Sequence, residues 1–191
     1  MRKASRDDRL LETRADRSQP VSVRRATSSD NVLLAELGTE TFRDAFGAHN
    51  TAEDMALYVA KSFSPVLQAM ELVDPFVAFL VAEAEEGPVG YAKLRRGASP
   101  ESVRSSRPVE IARFYARSKW IGRGVGRALM EAVLREARGY GHDVIWLGVW
   151  ERNERAITFY RKWAFVEVGS QRFELGNDLQ TDLVMTRAVD R

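Results

Sequence analysis

Residues 109–126, V-E-I-A-R-F-Y-A-R-S-K-W-I-G-R-G-V-G, decide the fold. The β-rich half, 109–116, predicts a strand, and apolar residues at helical spacing predict a helix over 125–140. Between them Gly122, Gly124 and Gly126 alternate. Glycine permits positive φ and a close backbone approach, and a helix start presents unpaired N–H donors to an anion. This turn therefore has the chemistry of a phosphate site.

The spacing of these glycines excludes two common nucleotide motifs. It is G-x-G-x-G, whereas dinucleotide folds use G-x-G-x-x-G, and no Gly-Lys-Ser/Thr follows as in a P-loop. Two interpretations of the turn stay open on the residues alone. It is either an anion site, to which Arg123 and Arg127 add positive charge, or an ordinary strand-to-helix connection.

Composition limits the remaining possibilities. With 191 residues, 45% apolar and 29% charged, we expect a flexible tail over residues 1–20 and a single domain over residues 21–191. The absence of cysteine excludes disulfides and thiolate catalysis, and with only two histidines we expect no metal. The apolar runs are far shorter than the ~20 residues of a membrane span, and no apolar stretch follows the charged N-terminus. We therefore expect a cytoplasmic protein.

Charge is distributed unevenly along the chain. Residues 30–74 contain eight acidic residues against two basic ones, and residues 91–127 contain ten basic against two acidic. Solvated faces would explain both blocks. The alternative is a basic half that holds a polyanionic cofactor and an acidic half that receives a cationic substrate.

The pattern of elements indicates an α/β protein. After a short strand at 21–25, helices are predicted behind Thr27–Asp30, behind Asn50 or Thr51, and from Pro65. A hairpin over 76–94, the strand and helix already described, a strand at 144–150 and a helix at 155–163 follow. Strands at 165–168, 172–175 and 183–186 end the chain, with the last two as a closing pair. This order predicts a mixed sheet with helices on both faces.

Two segments resemble the GNAT superfamily of N-acetyltransferases. The stretch from Glu110 to Arg127 is similar to the acetyl-CoA motif Gln/Arg-x-x-Gly-x-Gly/Ala, with Gly124 and Gly126 at the glycine positions and Ile121 at the Gln/Arg position. The stretch from Asn153 to Phe165 is similar to the motif that follows, with Ala164 where glycine is usual. Residues 41–55, 146–153 and 173–185 further resemble the PaiA-type spermidine/spermine acetyltransferases.

The resemblance implies the GNAT (acyl-CoA N-acyltransferase) fold, a mostly antiparallel mixed sheet with a central parallel pair of strands that splay apart. It implies acetyl-CoA as co-substrate and direct transfer of the acetyl group to a primary amine in a ternary complex. Tyr160 matches the acid that protonates the leaving thiolate, and Glu110 matches a strand position that holds the base in one branch. The alternative is that a chain of water molecules, and not Glu110, takes the proton from the amine.

The resemblance also assigns binding residues. Backbone groups of the first parallel strand would hold the thioester and pantetheine arm, the turn the pyrophosphate, and Asn153 a pantetheine amide or the start of its own helix. The expected cofactor-binding residues are Phe114, Tyr115, Ala116, Ile121, Gly122, Arg123, Gly124, Val125, Gly126, Arg127, Asn153, Tyr160 and Lys162.

The acceptor is expected to be a polyamine such as spermidine or spermine. Acidic residues at i, i+4 and i+8 on one predicted helix, with aromatic residues nearby, would suit several positive charges. The expected substrate-binding residues are Glu36, Glu40, Phe42, Asp44 and Tyr58. Asp178 and Asp182, in the predicted closing loop, are further acceptor candidates.

Rival interpretations change the acceptor to a protein N-terminus, a lysine or another small amine, or make the protein a non-catalytic acetyl-CoA sensor. The predicted tyrosine acid disfavours the sensor. As partners we expect a small-molecule amine, no nucleic acid and no membrane, and a homodimer is left open.

Overall fold

The structure is a computed structural model and describes residues 20–190. The predicted tail, apart from Pro20, and Arg191 lie outside the described residues. The division into a tail and one domain therefore stays a prediction.

Seven strands and five α-helices form within residues 20–190. The strands are β1 (Ser22–Arg25), β2 (Val77–Ala84), β3 (Gly87–Arg96), β4 (Pro108–Ala116), β5 (Val144–Trp150), β6 (Val166–Leu175) and β7 (Asp178–Ala188). The helices are α1 (Asn31–Phe46), α2 (Ala52–Ser62), α3 (Pro65–Val73), α4 (Val125–Gly139) and α5 (Glu154–Lys162). The order agrees with the predicted one as far as α5.

The strands form one mixed sheet in the order β1-β2-β3-β4-β5-β7-β6. Within the described chain the only parallel pair is β4–β5, and its ladder covers just 108–110 against 144–146. Past Glu110 and Trp146 the two strands no longer pair, which opens a gap in the middle of the sheet. The predicted GNAT fold, with its splayed parallel pair, is thus confirmed.

The predicted end of the chain needs two corrections. Residues 166–168 of the first predicted strand and 172–175 belong to one strand, β6, and 172–175 pairs with 178–181 rather than with 183–186. The tight turn at Gly176 (φ +63°) makes this hairpin and sets its register. Asp182, placed by the sequence in a loop, therefore lies inside β7.

Helices cover both faces of the sheet, as predicted. Side chains alternate between the faces of a strand, so Ile145, Leu147 and Val149 pack with α4 and α5 in the largest apolar cluster. The other face carries α1, α2 and α3, with Phe79 and Val81 against α1 and a separate aromatic cluster against α2. The gap between β4 and β5 lies between these two layers.

Short-range signals fix the helix ends. Thr51, rather than Asn50, caps α2 by accepting from the N–H of Asp54, and Ser64 caps α3, where Pro65 occupies the first turn. The chain leaves α4 through Gly141 at φ +68°. None of the helices described over residues 20–190 is long and apolar enough to cross a bilayer.

Candidate active site

A cleft of about 480 Å³ occupies the gap between β4 and β5. Its walls come from the ends of α1 and β5, from α2, β4, the glycine turn and α5, and from the β6–β7 hairpin. One half faces the α4–α5 layer and the other faces α1 and α2. The cleft therefore connects the two sides of the sheet at the point where the strands separate.

The glycine turn forms one end of this cleft. Gly122 and Gly124 have φ values of +79° and +89°, in the region that disfavours other residues. Five backbone N–H groups in and after this turn have no hydrogen-bond acceptor among the described residues, those of Gly122, Gly124, Val125, Gly126 and Arg127. Such a cluster at the start of a 15-residue helix fits a phosphate.

The turn uses two of the predicted backbone donors internally. The N–H of Ile121 donates to the carbonyl of Ser118 and that of Arg123 to Trp120, both at 3.2 Å. A short 3-10 helix, Ser118–Trp120, causes both bonds because its carbonyls point forward along the chain. Ile121 lines the cleft through its side chain, and Arg123 and Val125 lie outside the lining.

Backbone groups of β4 line the middle of the cleft. The N–H of Arg117 donates to the carbonyl of Val89 on β3, and because backbone groups alternate along a strand, those of Tyr115 also face β3. The N–H and C=O groups of Phe114 and Ala116 then face the gap. Of the three predicted residues, these two offer backbone groups to a pantetheine arm or a thioester oxygen.

Tyr160 lies on the α4–α5 side of the cleft. Its ring packs against Phe114, Phe159 and Phe165 at centroid distances of 5.5–6.1 Å, and the residue is 7% exposed. Burial raises the pKa of Tyr160 above its usual value. The hydroxyl therefore stays protonated at neutral pH, as an acid for a leaving thiolate must.

The start of α5 also contributes to the lining. The side chain of Asn153 caps the helix by accepting from the N–H of Ala156 at 3.1 Å, which leaves its amide N–H₂ for a ligand. Arg155, in the first turn, lines the cleft although the sequence motifs did not indicate it. Lys162, at the other end of α5, is exposed and outside the lining.

Aromatic side chains build the half of the cleft that faces α1 and α2. Phe42 stacks on Tyr58 at 4.4 Å, Tyr58 meets Phe173 at 5.5 Å, and Phe46 meets Trp150 at 6.2 Å. Two of the five rings, Phe42 and Tyr58, were predicted. Trp150 and Phe173 could not be, because they reach this wall only through the pairing of β5, β7 and β6, whereas Phe46 follows Phe42 by one turn of α1.

Only one of the three predicted carboxylates on α1 reaches the cleft. Asp44 lines it, Glu36 is exposed outside it, and Glu40 forms a 3.0 Å ion pair with Arg117. The reason is helical geometry, since each step of four residues turns roughly 40° past a full circle. A row at i, i+4 and i+8 thus drifts around the helix, and only its last member faces the gap.

A second carboxylate, that of Asp182, enters the same half of the cleft from β7. The residue is 8% exposed and lines the cleft. Burial raises the pKa of its carboxyl to about 6. Asp178, the other candidate on this strand, is exposed and accepts a 2.9 Å hydrogen bond from Gln180 instead.

Glu110, the predicted base, lies outside the cleft lining. It pairs with Trp146 at the last rung before the strands separate. Its carboxylate is bound by the Arg95 guanidinium, with 2.7 Å from Oε2 to both Nε and Nη2. The arginine on the adjacent strand balances its charge, so the structure does not bring it together with Tyr160.

Hydrogen bonds close one rim of the half of the cleft that faces α1 and α2. Gln180 donates to the side chain of Asn50 at 2.7 Å, and the N–H of Asn177 donates to Asp54 at 2.7 Å. These bonds tie the α1–α2 connection and the start of α2 to the β6–β7 hairpin.

Known proteins with related sequences and folds agree with this geometry. The model of the acetyltransferase (GNAT) family matches residues 35–165. An uncharacterized N-acetyltransferase in the pepI 3' region of Lactobacillus delbrueckii subsp. lactis is 31% identical over 88% of this chain and 98% of its own length. The N-alpha-acetyltransferase RimI of Mycobacterium tuberculosis is 28% identical, covering 81% of this chain and 84% of its own.

A solved structure shares the fold. The PaiA N-acetyltransferase from Thermoplasma acidophilum, in complex with coenzyme A, superposes with a TM-score of 0.69 at 17% identity, over 88% of this chain and 99% of that one. Together with the splayed β4–β5 pair and the glycine turn, the family match shows that this chain is an acetyl-CoA-dependent N-acetyltransferase of the GNAT family.

Proposed function

We propose that this N-acetyltransferase acetylates a small polyamine, such as spermidine or spermine, by direct attack of a primary amine on acetyl-CoA. The observation that carries the proposal is the combination of carboxylates and aromatic faces in the half of the cleft that faces α1 and α2, the proposed acceptor half. Asp44 and Asp182 enter it from different elements, α1 and β7. Ammonium groups bind to carboxylates and to aromatic faces.

Hydrogen bonds and an ion pair reduce the repulsion between Arg113, a cationic side chain in that half, and a cationic acceptor. Arg113 lines the cleft, and its guanidinium donates to Glu71, to Gln68 and to the carbonyl of Ser62 at 2.9–3.2 Å. Glu71 therefore offsets part of its charge, since the same carboxylate also binds Lys93. The hydrogen-bonded rim also favours a slender amine over a peptide segment.

Acetyl-CoA fits the opposite half. Free N–H groups of the glycine turn suit its pyrophosphate, the gap-facing backbone of Phe114 and Ala116 suits the pantetheine arm, and Tyr160 suits the leaving sulfur. The coenzyme A complex of the PaiA protein has the same fold, which supports this placement. The cytoplasmic location and a small-molecule partner stay predictions.

A protein N-terminus is the rival acceptor. The relative RimI is an N-alpha-acetyltransferase by name, and a cleft closed at one rim would also admit the end of a polypeptide. The two carboxylates that line the cleft, Asp44 and Asp182, suit a multiply charged amine better.

A panel of acceptors tests the proposal. Thiol release from acetyl-CoA is measured with spermidine, n-butylamine, a peptide with a free N-terminal alanine, and an N-blocked lysine peptide. We expect kcat/KM for spermidine to exceed that for either peptide by more than about tenfold. A preference for either peptide would refute the polyamine proposal.

A charge variant makes the test specific to the site. Asp44→Asn is expected to raise KM for spermidine about threefold without changing KM for n-butylamine, because a monoamine has no second charge to bind. Glu53→Gln, which removes an exposed carboxylate of α2 outside the cleft, is the control for altered net charge.

A further inference from the structure

Asp182 and Gly148 are close neighbours across β7 and β5. A Cβ atom built on Gly148 would lie 2.9 Å from Oδ2 of Asp182. Because Gly148 has no side chain, the Asp182 carboxylate has room to lie against β5, the strand that separates from β4. Trp150, the register partner of Asp182, lines the cleft beside it.

The carboxylate of Asp182 lacks a balancing charge. Among residues 20–190 it has neither an ion pair nor a hydrogen-bond donor. Its neighbours include Tyr58 from α2, Trp150 from β5 and Gln171 from β6. Two charged groups line the same half of the cleft, Arg113 from β4, which Glu71 binds, and Asp44 from α1. A buried carboxylate without a partner is costly, so its presence calls for a cation that arrives with the substrate.

Asp182 and Tyr160 lie on opposite sides of the sheet. Leu183 and Met185, one and three residues after Asp182 on β7, pack with the α4–α5 cluster that contains Tyr160. Asp182 therefore points to the other side, where α1 and α2 form the aromatic wall. An acetyl group held in the gap would have the acid on the cofactor side and the carboxylate on the side from which an amine approaches.

We propose that Asp182 is the proton acceptor that converts the bound ammonium of the acceptor into the attacking amine. The ammonium gives one proton to the Asp182 carboxylate, and the neutral nitrogen forms the C–N bond at the thioester carbon. The C–S bond then breaks, sulfur takes a proton from the Tyr160 hydroxyl, and the nitrogen's second proton restores that hydroxyl. Products are an N-acetyl amine, a free thiol and one proton released from Asp182.

This proposal rests on the N-acetyltransferase activity and not on the polyamine. It applies to any acceptor that arrives as an ammonium ion, so its test uses whichever acceptor the panel shows to be best. If the polyamine proposal fails, the test is made with a different acceptor from the panel. Failure of the Asp182 proposal shows instead in the pH dependence with an accepted amine.

The pH profile of kcat/KM is the decisive measurement. With a base of pKa about 6 and an amine of pKa about 10, the wild type should rise through pH 6 and then stay level to about pH 10. The Asp182→Asn variant should lack the plateau and rise about tenfold per pH unit until the amine itself is neutral. At pH 7, about three units below the pKa of the amine, we expect its kcat/KM to be about a thousandfold lower, with unchanged acetyl-CoA affinity.

Two further variants separate chemistry from structure. Asp182→Glu keeps a carboxylate and should keep a plateau, with its acid limb displaced. Glu174→Gln, which removes an exposed carboxylate on β6 outside the cleft, is the matched control. A plateau retained by Asp182→Asn, an acid limb unmoved in Asp182→Glu, or a plateau lost in Glu110→Gln instead would overturn the proposal.

Discussion

Tyr160 combines a closely packed ring with a hydroxyl that lies at the cleft. Its ring is held by three phenylalanines, and burial raises its pKa. No hydrogen bond to another residue of the described chain engages its hydroxyl. The side chain is therefore rigid, protonated and available to a leaving group.

Removing only this hydroxyl should affect chemistry and not binding. We expect Tyr160→Phe to lower kcat by more than about tenfold, because the thiolate then leaves without a positioned acid, while acetyl-CoA affinity stays nearly unchanged. Steady-state thiol release and equilibrium titration of acetyl-CoA measure the two quantities. Tyr140→Phe, which removes a hydroxyl bonded to Arg25 far from the cleft, is the control, and an unaltered kcat for Tyr160→Phe would exclude the acid role.

At the scale of elements, α4 and α5 end in the same way with different residues. After α4, Gly141 donates to Arg138 and His142 to Ala137; after α5, Ala164 donates to Arg161 and Phe165 to Tyr160. Both are paired bonds around a residue of positive φ, +68° at Gly141 and +60° at Ala164. Alanine is strained in this conformation, so the replacement of the family's glycine is costlier than its small size suggests.

Reversing that replacement should stabilise the protein. We expect Ala164→Gly to raise the free energy of unfolding by about 1 kcal/mol, because it relieves a left-handed alanine. Gly141→Ala should lower it by a similar amount, with an added contribution from the Arg107 guanidinium 3.0–3.3 Å from the new Cβ. Urea denaturation of the three proteins measures both, and destabilisation by Ala164→Gly would contradict this account of the cap.

In the whole molecule, the two charge blocks of the sequence meet each other. Glu71, from the acidic block, binds Lys93 at 2.5 Å and Arg113 at 3.2 Å, and Glu40 binds Arg117 at 3.0 Å. Lys93 is 5% exposed, and burial, with Arg113 nearby, lowers its pKa. Part of the uneven charge, two of the eight acidic residues and three of the ten basic ones, thus joins α1 and α3 to the sheet.

The Glu71 network should therefore matter for stability more than a surface pair does. Glu71→Gln leaves two buried cations with no carboxylate, and we expect it to cost about 3–5 kcal/mol of unfolding free energy. Glu86→Gln, in an ion pair that is more than half exposed on both sides, should cost less than about 1 kcal/mol. Denaturant titration compares them, and equal losses would show that the buried network contributes no more than the exposed pair.

The sequence predicted most of the fold, and part of the site. Strand and helix patterns located every element through α5, since they depend on side-chain alternation and on caps within a few residues. It misplaced the last strands because short apolar runs do not specify which partner they pair with. The aromatic wall, which includes Trp150 and Phe173, depends on that pairing.

By itself, the sequence determined the glycine turn, the cap at Asn153 and the motif that contains Tyr160, because their hydrogen bonds and backbone angles involve residues close together in the chain. Only the tertiary structure decided which carboxylates line the cleft. Glu40 and Glu110 are bound by arginines from other elements, and Asp182 is buried without one beside Gly148. The charge environment of a carboxylate is set by neighbours that packing brings together from distant parts of the chain, and no local pattern records them.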